Sequence, residues 1–185
     1  KWINQLHRVL KDGCYAVIFS GDKKLYYVMK SIYKTSFIFH HFLKWHKPTC
    51  QRGLSGTVLF GRTELAFVLS KGKPDISKVN HKVLYADTLI YDNTKPNDKY
   101  NAVNHNARRP IELYRQIIDG LSGTIVLDCF MGSGTTAIAC KQLGRNYIGF
   151  EITPQYIDIA NKRLNQTNVS DFWSNDTHNR NLTED

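Results

Sequence analysis

Residues 124–151, TIVLDCFMGSGTTAIACKQLGRNYIGFE, constrain the fold more than any other stretch, because they predict one complete strand–turn–helix–strand unit. The apolar run TIVLDCF has the composition of a strand buried in a parallel sheet. A turn almost without side chains runs from Met131 to Gly134, and Thr135 is placed to cap a helix, TTAIACKQL, that ends at Gly144. The strand NYIGFEI follows and carries Glu151 near its end.

This unit has the chemistry of a nucleoside-binding site. Glycines let the backbone take positive φ and let a ligand approach closely. The helix N-terminus offers unpaired N–H groups to an anionic group. Glu151 follows the glycines by about 20 residues, where an acid can accept hydrogen bonds from both ribose hydroxyls.

Three alternatives for the ligand can be compared. A phosphate-binding P-loop needs Lys after its last glycine, and this chain has Thr135 there. A dinucleotide loop, GxGxxG, tolerates Ala137 at its third position, but the carboxylate of Asp128 would repel a pyrophosphate. That carboxylate suits S-adenosylmethionine, which carries an amino group and a sulfonium cation. A purely structural glycine turn remains an alternative.

The segment VLDCFMGSGTT resembles the D-P-F-x-G-S-G-T-T motif of DNA amino-methyltransferases, and LGRNYIGFEITPQYIDIANKRL continues the similarity. Other segments are similar to the beta class of that family, in which the catalytic half precedes the cofactor half. They are RVLKDG at 8–13, FLKWHK at 42–47, Glu64 at the start of a strand, and HNARRP at 105–110. The resemblance covers roughly residues 1–165.

The resemblance implies a Rossmann-like α/β fold with a mixed, mostly parallel sheet and helices on both faces. It divides the methyltransferase domain, 1–165, into an acceptor-side half at 1–72, a DNA-contacting recognition segment at 73–109 and a cofactor-binding half at 110–165. A polar tail follows at 166–185. Within the halves, the sequence predicts helices at 1–11, 23–34, 110–120 (with Pro110 at its first position) and 154–165. It predicts strands at 14–20, 37–45 and 64–72, the last antiparallel to the strand before it.

The implied activity is transfer of a methyl group from S-adenosylmethionine to an exocyclic amino nitrogen of DNA, adenine N6 or cytosine N4. Two alternatives are an inert DNA-binding partner subunit and a methyltransferase acting on RNA or protein. The implied cofactor residues are Asp128, Phe130, Gly132, Ser133, Gly134, Thr135, Glu151, Arg109 and Pro110. In this scheme Ser133 and Thr135 bind the methionine carboxylate and Arg109-Pro110 form the far side of the pocket.

The sequence departs from the family at several positions. Cys129 and Asn106 replace prolines, and Arg109 replaces a lysine. The family's catalytic tetrapeptide, Asp-, Ser- or Asn-Pro-Pro-Tyr, does not occur in the sequence, since all five prolines stand alone. We therefore expect the catalytic residues upstream of Lys1, the fold to be incomplete at the N-terminus, and this chain alone to be inactive.

The net charge of +9 lies in the middle of the chain. Residues 30–115 contain 15 Lys and Arg against 6 Asp and Glu, a difference of 15 − 6 = +9, whereas the remainder contains 10 of each. A solvated basic face is the simpler explanation, but such clustering is also typical of a DNA-binding surface. We expect DNA contacts in and around the loop 46–62, at Lys44, Lys47, Arg52 and Arg62.

The remaining residues exclude other classes. The four cysteines, Cys14, Cys50, Cys129 and Cys140, lack C-x-x-C spacing, so we expect reduced structural thiols and no metal site. No stretch approaches the length of a transmembrane helix. The resemblance implies double-stranded DNA as partner, a restriction endonuclease as functional partner, and a cytoplasmic location in a prokaryote or virus.

Overall fold

The structure is a computed structural model and describes residues 2–48, 63–80, 88–91, 109–121 and 123–166. The chain divides into two compact units. The first unit contains residues 1–95 and 119–123, and the second contains residues 96–118 and 124–185. Each unit has its own sheet.

The first unit alternates helices and strands. Its elements are α1 (Trp2–Val9), β1 (Tyr15–Ser20), a 3-10 turn (Asp22–Lys24), α2 (Leu25–Ile32), β2 (Phe37–His46), β3 (Thr63–Lys71), a second 3-10 turn (Ile76–Lys78) and β4 (Thr88–Ile90). The predicted helix at 23–34 is therefore a 3-10 turn that continues into α2. The predicted helix at 1–11 ends at Val9, and Gly13 follows with a φ of +77°.

The sheet of the first unit has the strand order β1-β3-β2-β4. β3 lies between β1 and β2 and is antiparallel to both, which confirms the predicted pairing of 64–72 with the preceding strand. β4 lies parallel to β2. β4 belongs to the segment 73–109, for which the sequence predicts no strand because it has little periodicity. β2 shifts register between Phe39 and His41. Among the described pairings, β1 has a partner on one side only.

Apolar side chains of α1, α2 and the sheet form the core of this unit. The buried members are Ile3, Ala16, Ile18, Ile32, Phe67 and Leu69, with Leu25 and Val28 of α2 packed against them. Strand β1 alternates buried and half-buried residues, as expected for a strand that packs one face on the core. The central strand β3 is buried over five consecutive residues, Ala66 to Ser70, which means that side chains on both of its faces are shielded from solvent.

The second unit contains the predicted strand–turn–helix–strand unit. Its elements are α3 (Ile111–Leu121, whose last residues fall in the first unit), β5 (Ile125–Asp128), α4 (Thr135–Gln142), β6 (Asn146–Gly149) and α5 (Pro154–Gln166). Pro110 precedes α3 rather than occupying its first position. β5 and β6 are parallel, with Ile125 opposite Asn146 and Asp128 opposite Gly149.

The core of the second unit lies between α3 and α4. Ile111, Ile118, Ile138, Ala139 and Cys140 are buried together. α4 is buried on all sides over its first six residues, Thr135 to Cys140, so its sequence lacks the one-sided apolar stripe of a surface helix. The tail 166–185 lies outside the described residues from position 167 onward.

Candidate functional site

The turn after β5 is held by the backbone of β6. Met131 N–H donates to the Phe150 carbonyl and Phe150 N–H donates to the Asp128 carbonyl, both at 2.9 Å, so the residue directly after β6 is bonded to the turn on both sides of its first two residues. Gly134 N–H then donates to the Met131 carbonyl at 3.0 Å and closes the turn. The turn is thereby fixed at the carboxyl end of β5, where parallel α/β sheets bind ligands.

Two glycines of the turn have positive φ, +54° at Gly132 and +83° at Gly134. Gly134 is also packed closely, since a Cβ atom there would lie 2.8 Å from Ala160 Cβ and 3.2 Å from Ala160 Cα. Gly134 is the N-cap of α4 and Thr135 is its first helical residue, so the predicted capping by Thr135 is wrong. Gly134, with its positive φ, is the cap, so the helix starts one residue earlier than a side-chain cap at Thr135 would require.

Asp128 joins the end of β5 to the first turn of α4. Its Oδ1 accepts a hydrogen bond from Phe130 N–H at 2.9 Å, and its Oδ2 accepts one from the Thr136 hydroxyl. The carboxylate is half-buried and thus held between turn and helix. Thr136 was not among the predicted site residues, although it lies one residue beyond Thr135 in the same motif.

Glu151 joins the glycine turn to the start of α5. Its Oε2 accepts from Gly132 N–H at 2.8 Å, and its Oε1 accepts from the N–H groups of Ile152 and Thr153, both at 2.9 Å. These N–H groups, that of Thr153 foremost, lower the pKa of Glu151 from its ordinary value of 4.5. The carboxylate is therefore anionic at neutral pH and fixed against the turn.

Ser133 lies beneath the turn and contacts Arg163 of α5. Arg163 is 2% exposed, and its Nη1 donates to the Ser133 carbonyl and, at 3.0 Å, to Ser133 Oγ. Sequence reasoning did not identify Arg163. The sequence did offer a hint, because Arg163 lies within the family-like segment LGRNYIGFEITPQYIDIANKRL. It also lies three residues after Ala160, and residues at this spacing share one side of a helix.

The predicted carboxylate-binding side chains, Ser133 and Thr135, are both buried. Ser133 Oγ faces Arg163, so a ligand would meet this part of the turn through backbone N–H groups at the start of α4. Phe130, by contrast, is 65% exposed, and Phe150 and Ile152 are also exposed near Glu151. The turn thus combines two fixed carboxylates with exposed apolar side chains.

Arg109 and Pro110 stand before α3. Arg109 Nη1 donates to the Tyr114 hydroxyl over a long 3.5 Å, and Tyr114 packs against the core cluster that contains Ile138. This places Arg109 and Pro110 in the second unit with the turn. Their predicted role in the pocket stays a prediction.

The structure describes two of the four predicted DNA-contacting residues, Lys47 and Lys44, and the DNA contacts themselves stay a prediction. Lys47 Nζ lies 2.6 Å from Glu64 Oε1 and 4.6 Å from the Trp45 ring centroid, while Trp45 Nε1 donates to the Tyr91 carbonyl. Lys47 thus forms an ion pair with Glu64, the residue that the family resemblance placed at the start of a strand. Lys44 is half-buried on β2, and Arg52 and Arg62 lie outside the described residues.

Neither a disulfide nor a metal-binding group is found within the part of the chain that the structure describes. Cys14, Cys129 and Cys140 are free there, and burial raises the pKa of the Cys140 thiol to about 11. No group of three His, Cys, Asp or Glu side chains at metal-binding distance occurs among those residues. None of the described helices is long and apolar enough to cross a membrane.

Comparisons with known proteins show the family of this chain. A family model described as DNA methylase, N6_N4_Mtase, matches residues 1–162. The chain is 29% identical over 182 residues to the Type II methyltransferase M.HinfI of Haemophilus influenzae, covering 89% of this chain and 50% of that protein. It is 30% identical over 182 residues to M2.DpnII of Streptococcus pneumoniae, covering 91% and 68%.

Among solved structures, the M1.HpyAVI–SAM complex matches with a TM-score of 0.76 and 28% identity, over 89% of this chain and 81% of that one. The chain spans half the length of M.HinfI. The match to M1.HpyAVI extends over both units described above.

Proposed function

Since this chain belongs to the N6_N4_Mtase family of DNA methylases, we propose that its second unit binds S-adenosylmethionine for methylation of an exocyclic amino group in DNA. The target is adenine N6 or cytosine N4. The observation that supports this most directly is the pair of fixed carboxylates, Asp128 and Glu151, on either side of the glycine turn. When bound, the cofactor supplies an activated methyl group on a sulfonium.

The donors and acceptors of the turn fit such a ligand. Asp128 uses one acceptor position on each oxygen internally, which leaves about two of its roughly four positions for an amino group. Its negative charge also suits a cationic ligand. A phosphate ligand would be repelled by both carboxylates.

Glu151 has fewer acceptor positions left. Three backbone N–H groups occupy about three of its roughly four positions, and both bonds to Oε1 come from the start of α5. We infer that Oε2 accepts one ribose hydroxyl, rather than the carboxylate accepting from both. The exposed ring of Phe130 packs on the apolar part of the ligand.

Arg163 and Thr136 support the turn and the carboxylates, whereas Gly132 allows close approach of the ligand to the backbone and Gly134 allows the turn to pack on Ala160. We assign Ser133 and Thr135 to ligand binding through the backbone, and Arg109 and Pro110 to the pocket wall. The group that accepts the amine proton is not among these residues.

Cofactor binding can be tested by titrating labelled S-adenosylmethionine against the full chain by equilibrium dialysis. Asp128→Ala and Glu151→Ala are each expected to raise the Kd at least tenfold. Asp158→Ala removes an exposed carboxylate from α5 in the same unit and is expected to leave the Kd within twofold. Equal binding by all four proteins would contradict the assignment.

Methyl transfer is tested separately, with duplex DNA and S-adenosylmethionine labelled in the methyl group. Digestion to nucleosides should give labelled N6-methyladenosine or N4-methylcytidine in the deoxy form. Labelled RNA alone would favour the RNA alternative. Cofactor and DNA binding without transfer would favour the inert partner subunit.

A further inference from the structure

The outward side of α2 combines exposed tyrosines with lysines in the first unit. The inner side of this helix packs on the core through Leu25, Val28 and Ile32. The other side carries Tyr26 and Tyr27, 60% and 63% exposed, and Tyr33 follows at 81%. The lysines on and beside it are Lys23, Lys24, Lys30 and Lys34. We call these seven residues the α2 face.

Aromatic and cationic groups of this face contact one another. Lys24 Nζ lies 5.9 Å from the Tyr27 ring centroid, and Lys30 Nζ lies 5.9 Å from the Tyr26 centroid. The two rings meet edge to face with centroids 5.5 Å apart. Such cation–π contacts fix ammonium groups near ring faces without neutralising their charge.

A single acidic side chain, that of Asp22 in the 3-10 turn, lies beside these lysines in sequence, so four positive charges stand against one negative charge in this segment. Residues 23–34 contain four lysines and no Asp or Glu. The ion pairs found among the described residues involve Lys47 and Lys71, not the lysines of the α2 face. Lysines alone would also fit an ordinary solvated face, but here three exposed tyrosines lie among them.

We propose that the α2 face binds the phosphate backbone of duplex DNA, independently of sequence, outside the cofactor site. This proposal rests on the proposed function, which makes DNA a partner of the chain. The eight residues of α2 span roughly 12 Å, and Lys23 and Lys34 lie beyond its two ends, so the face can follow several phosphates on a duplex. The tyrosine hydroxyls and rings contact phosphate and sugar beside the lysines.

Charge favours DNA over a second copy of this chain as the occupant. In a two-fold dimer each residue of the face would meet the same patch on the other copy, so lysines would oppose lysines. A polyanion removes that repulsion and releases condensed counterions on binding.

The test measures the salt dependence of binding to a fluorescent duplex of random sequence. Each lysine that contacts phosphate contributes about 0.9 to the slope of log Kobs against log salt. Lys23→Gln/Lys30→Gln should therefore reduce the slope by about 1.8 and weaken binding at least fivefold at 100 mM salt. Lys11→Gln/Lys73→Gln removes two exposed lysines of the same unit and should change the slope little.

Equal slope changes in the two double variants would overturn the proposal, because only net charge would then matter. Tyr26→Ala/Tyr27→Ala should weaken binding while the slope stays the same, because no charge is removed. Sedimentation velocity tests whether a second copy of this chain occupies the face instead, because it measures the oligomeric state. If the tyrosine variant turns a dimer into a monomer and binds DNA as the unmodified chain does, the face is a self-association surface and the proposal is wrong.

Titration with S-adenosylmethionine separates this proposal from the proposed function. The lysine variant should bind the cofactor with an unchanged Kd. An unchanged salt slope in the lysine variant, together with intact cofactor binding, refutes the α2 face alone, whereas absence of cofactor binding in the unmodified chain refutes the proposed function.

Discussion

Replacing Gly134 with alanine should lower the free energy of unfolding for two reasons, one conformational and one steric. The first is conformational, since the φ of +83° places an alanine in the left-handed region at about 1–2 kcal/mol. The second is steric, because the new Cβ would lie 2.8 Å from Ala160 Cβ. Overpacking of this kind costs about 1–3 kcal/mol. We expect Gly134→Ala to lower the free energy of unfolding by about 2–5 kcal/mol.

Gly144→Ala is the matched control. Gly144 also has positive φ, +63°, but a Cβ there would meet nothing within 4 Å. It should lose only the conformational cost of about 1–2 kcal/mol. Any stabilisation from restricting the unfolded chain is common to both replacements and largely cancels in the difference.

The assay is urea unfolding of the full chain followed by circular dichroism, together with the dialysis titration of S-adenosylmethionine. Ala160→Gly in the Gly134→Ala background should recover part of the steric loss, and the coupling between the two sites is read from the double-mutant cycle. Equal losses for Gly134→Ala and Gly144→Ala, or additive effects of Gly134→Ala and Ala160→Gly, would refute the close contact between turn and α5.

Three further predictions concern the partners of the turn. Arg163→Met keeps an unbranched buried side chain but leaves Ser133 without its donor, so it should lower the free energy of unfolding by about 1–3 kcal/mol and weaken cofactor binding. Arg163→Lys should restore part of the cofactor binding. Thermal melting measures the stability of both variants, and dialysis measures their Kd for S-adenosylmethionine. Thr136→Val should raise the Kd for S-adenosylmethionine several-fold, because the Asp128 carboxylate loses its hydroxyl donor. The pKa of Glu151 is lowered on folding, so its stabilising effect is fully present above its ordinary pKa of 4.5 and is lost as the pH falls through the folded value. The difference in melting temperature between the unmodified chain and Glu151→Gln should therefore shrink as the pH is lowered below 4.5, and a constant difference would contradict the prediction.

The elements of the second unit were predictable because their signals are local. Apolar runs, the glycine turn and Gly144, whose φ of +63° confirms the predicted C-terminal position, lie within a few residues of the backbone they shape. The strand ends were less predictable. The predicted strand through Phe130 ends at Asp128, since the next residues turn to pair with Phe150 rather than continue the ladder.

Side-chain partners far apart in sequence were not predictable in the same way. From its motif, Ser133 was predicted to bind the ligand through its hydroxyl. In the structure that hydroxyl accepts a hydrogen bond from Arg163, 30 residues later in the sequence. Lys47 stays a predicted DNA contact, but its ion pair with Glu64 on the neighbouring strand had no local signal in the sequence. Both partners are brought near only when α5 packs under the turn and when β3 aligns with β2.

The sequence by itself therefore determined the glycine turn, the two carboxylates and the family of the chain, because each depends on backbone conformation and residue chemistry within one short segment. Only the tertiary structure decided which hydrogen-bonding positions those carboxylates retain, and which lysines stay unneutralised. Three N–H groups saturate most of Glu151, and α2 carries its lysines where no acid of the described chain forms an ion pair with them. Hydrogen-bonding capacity and charge balance depend on neighbours in space, and folding sets those neighbours.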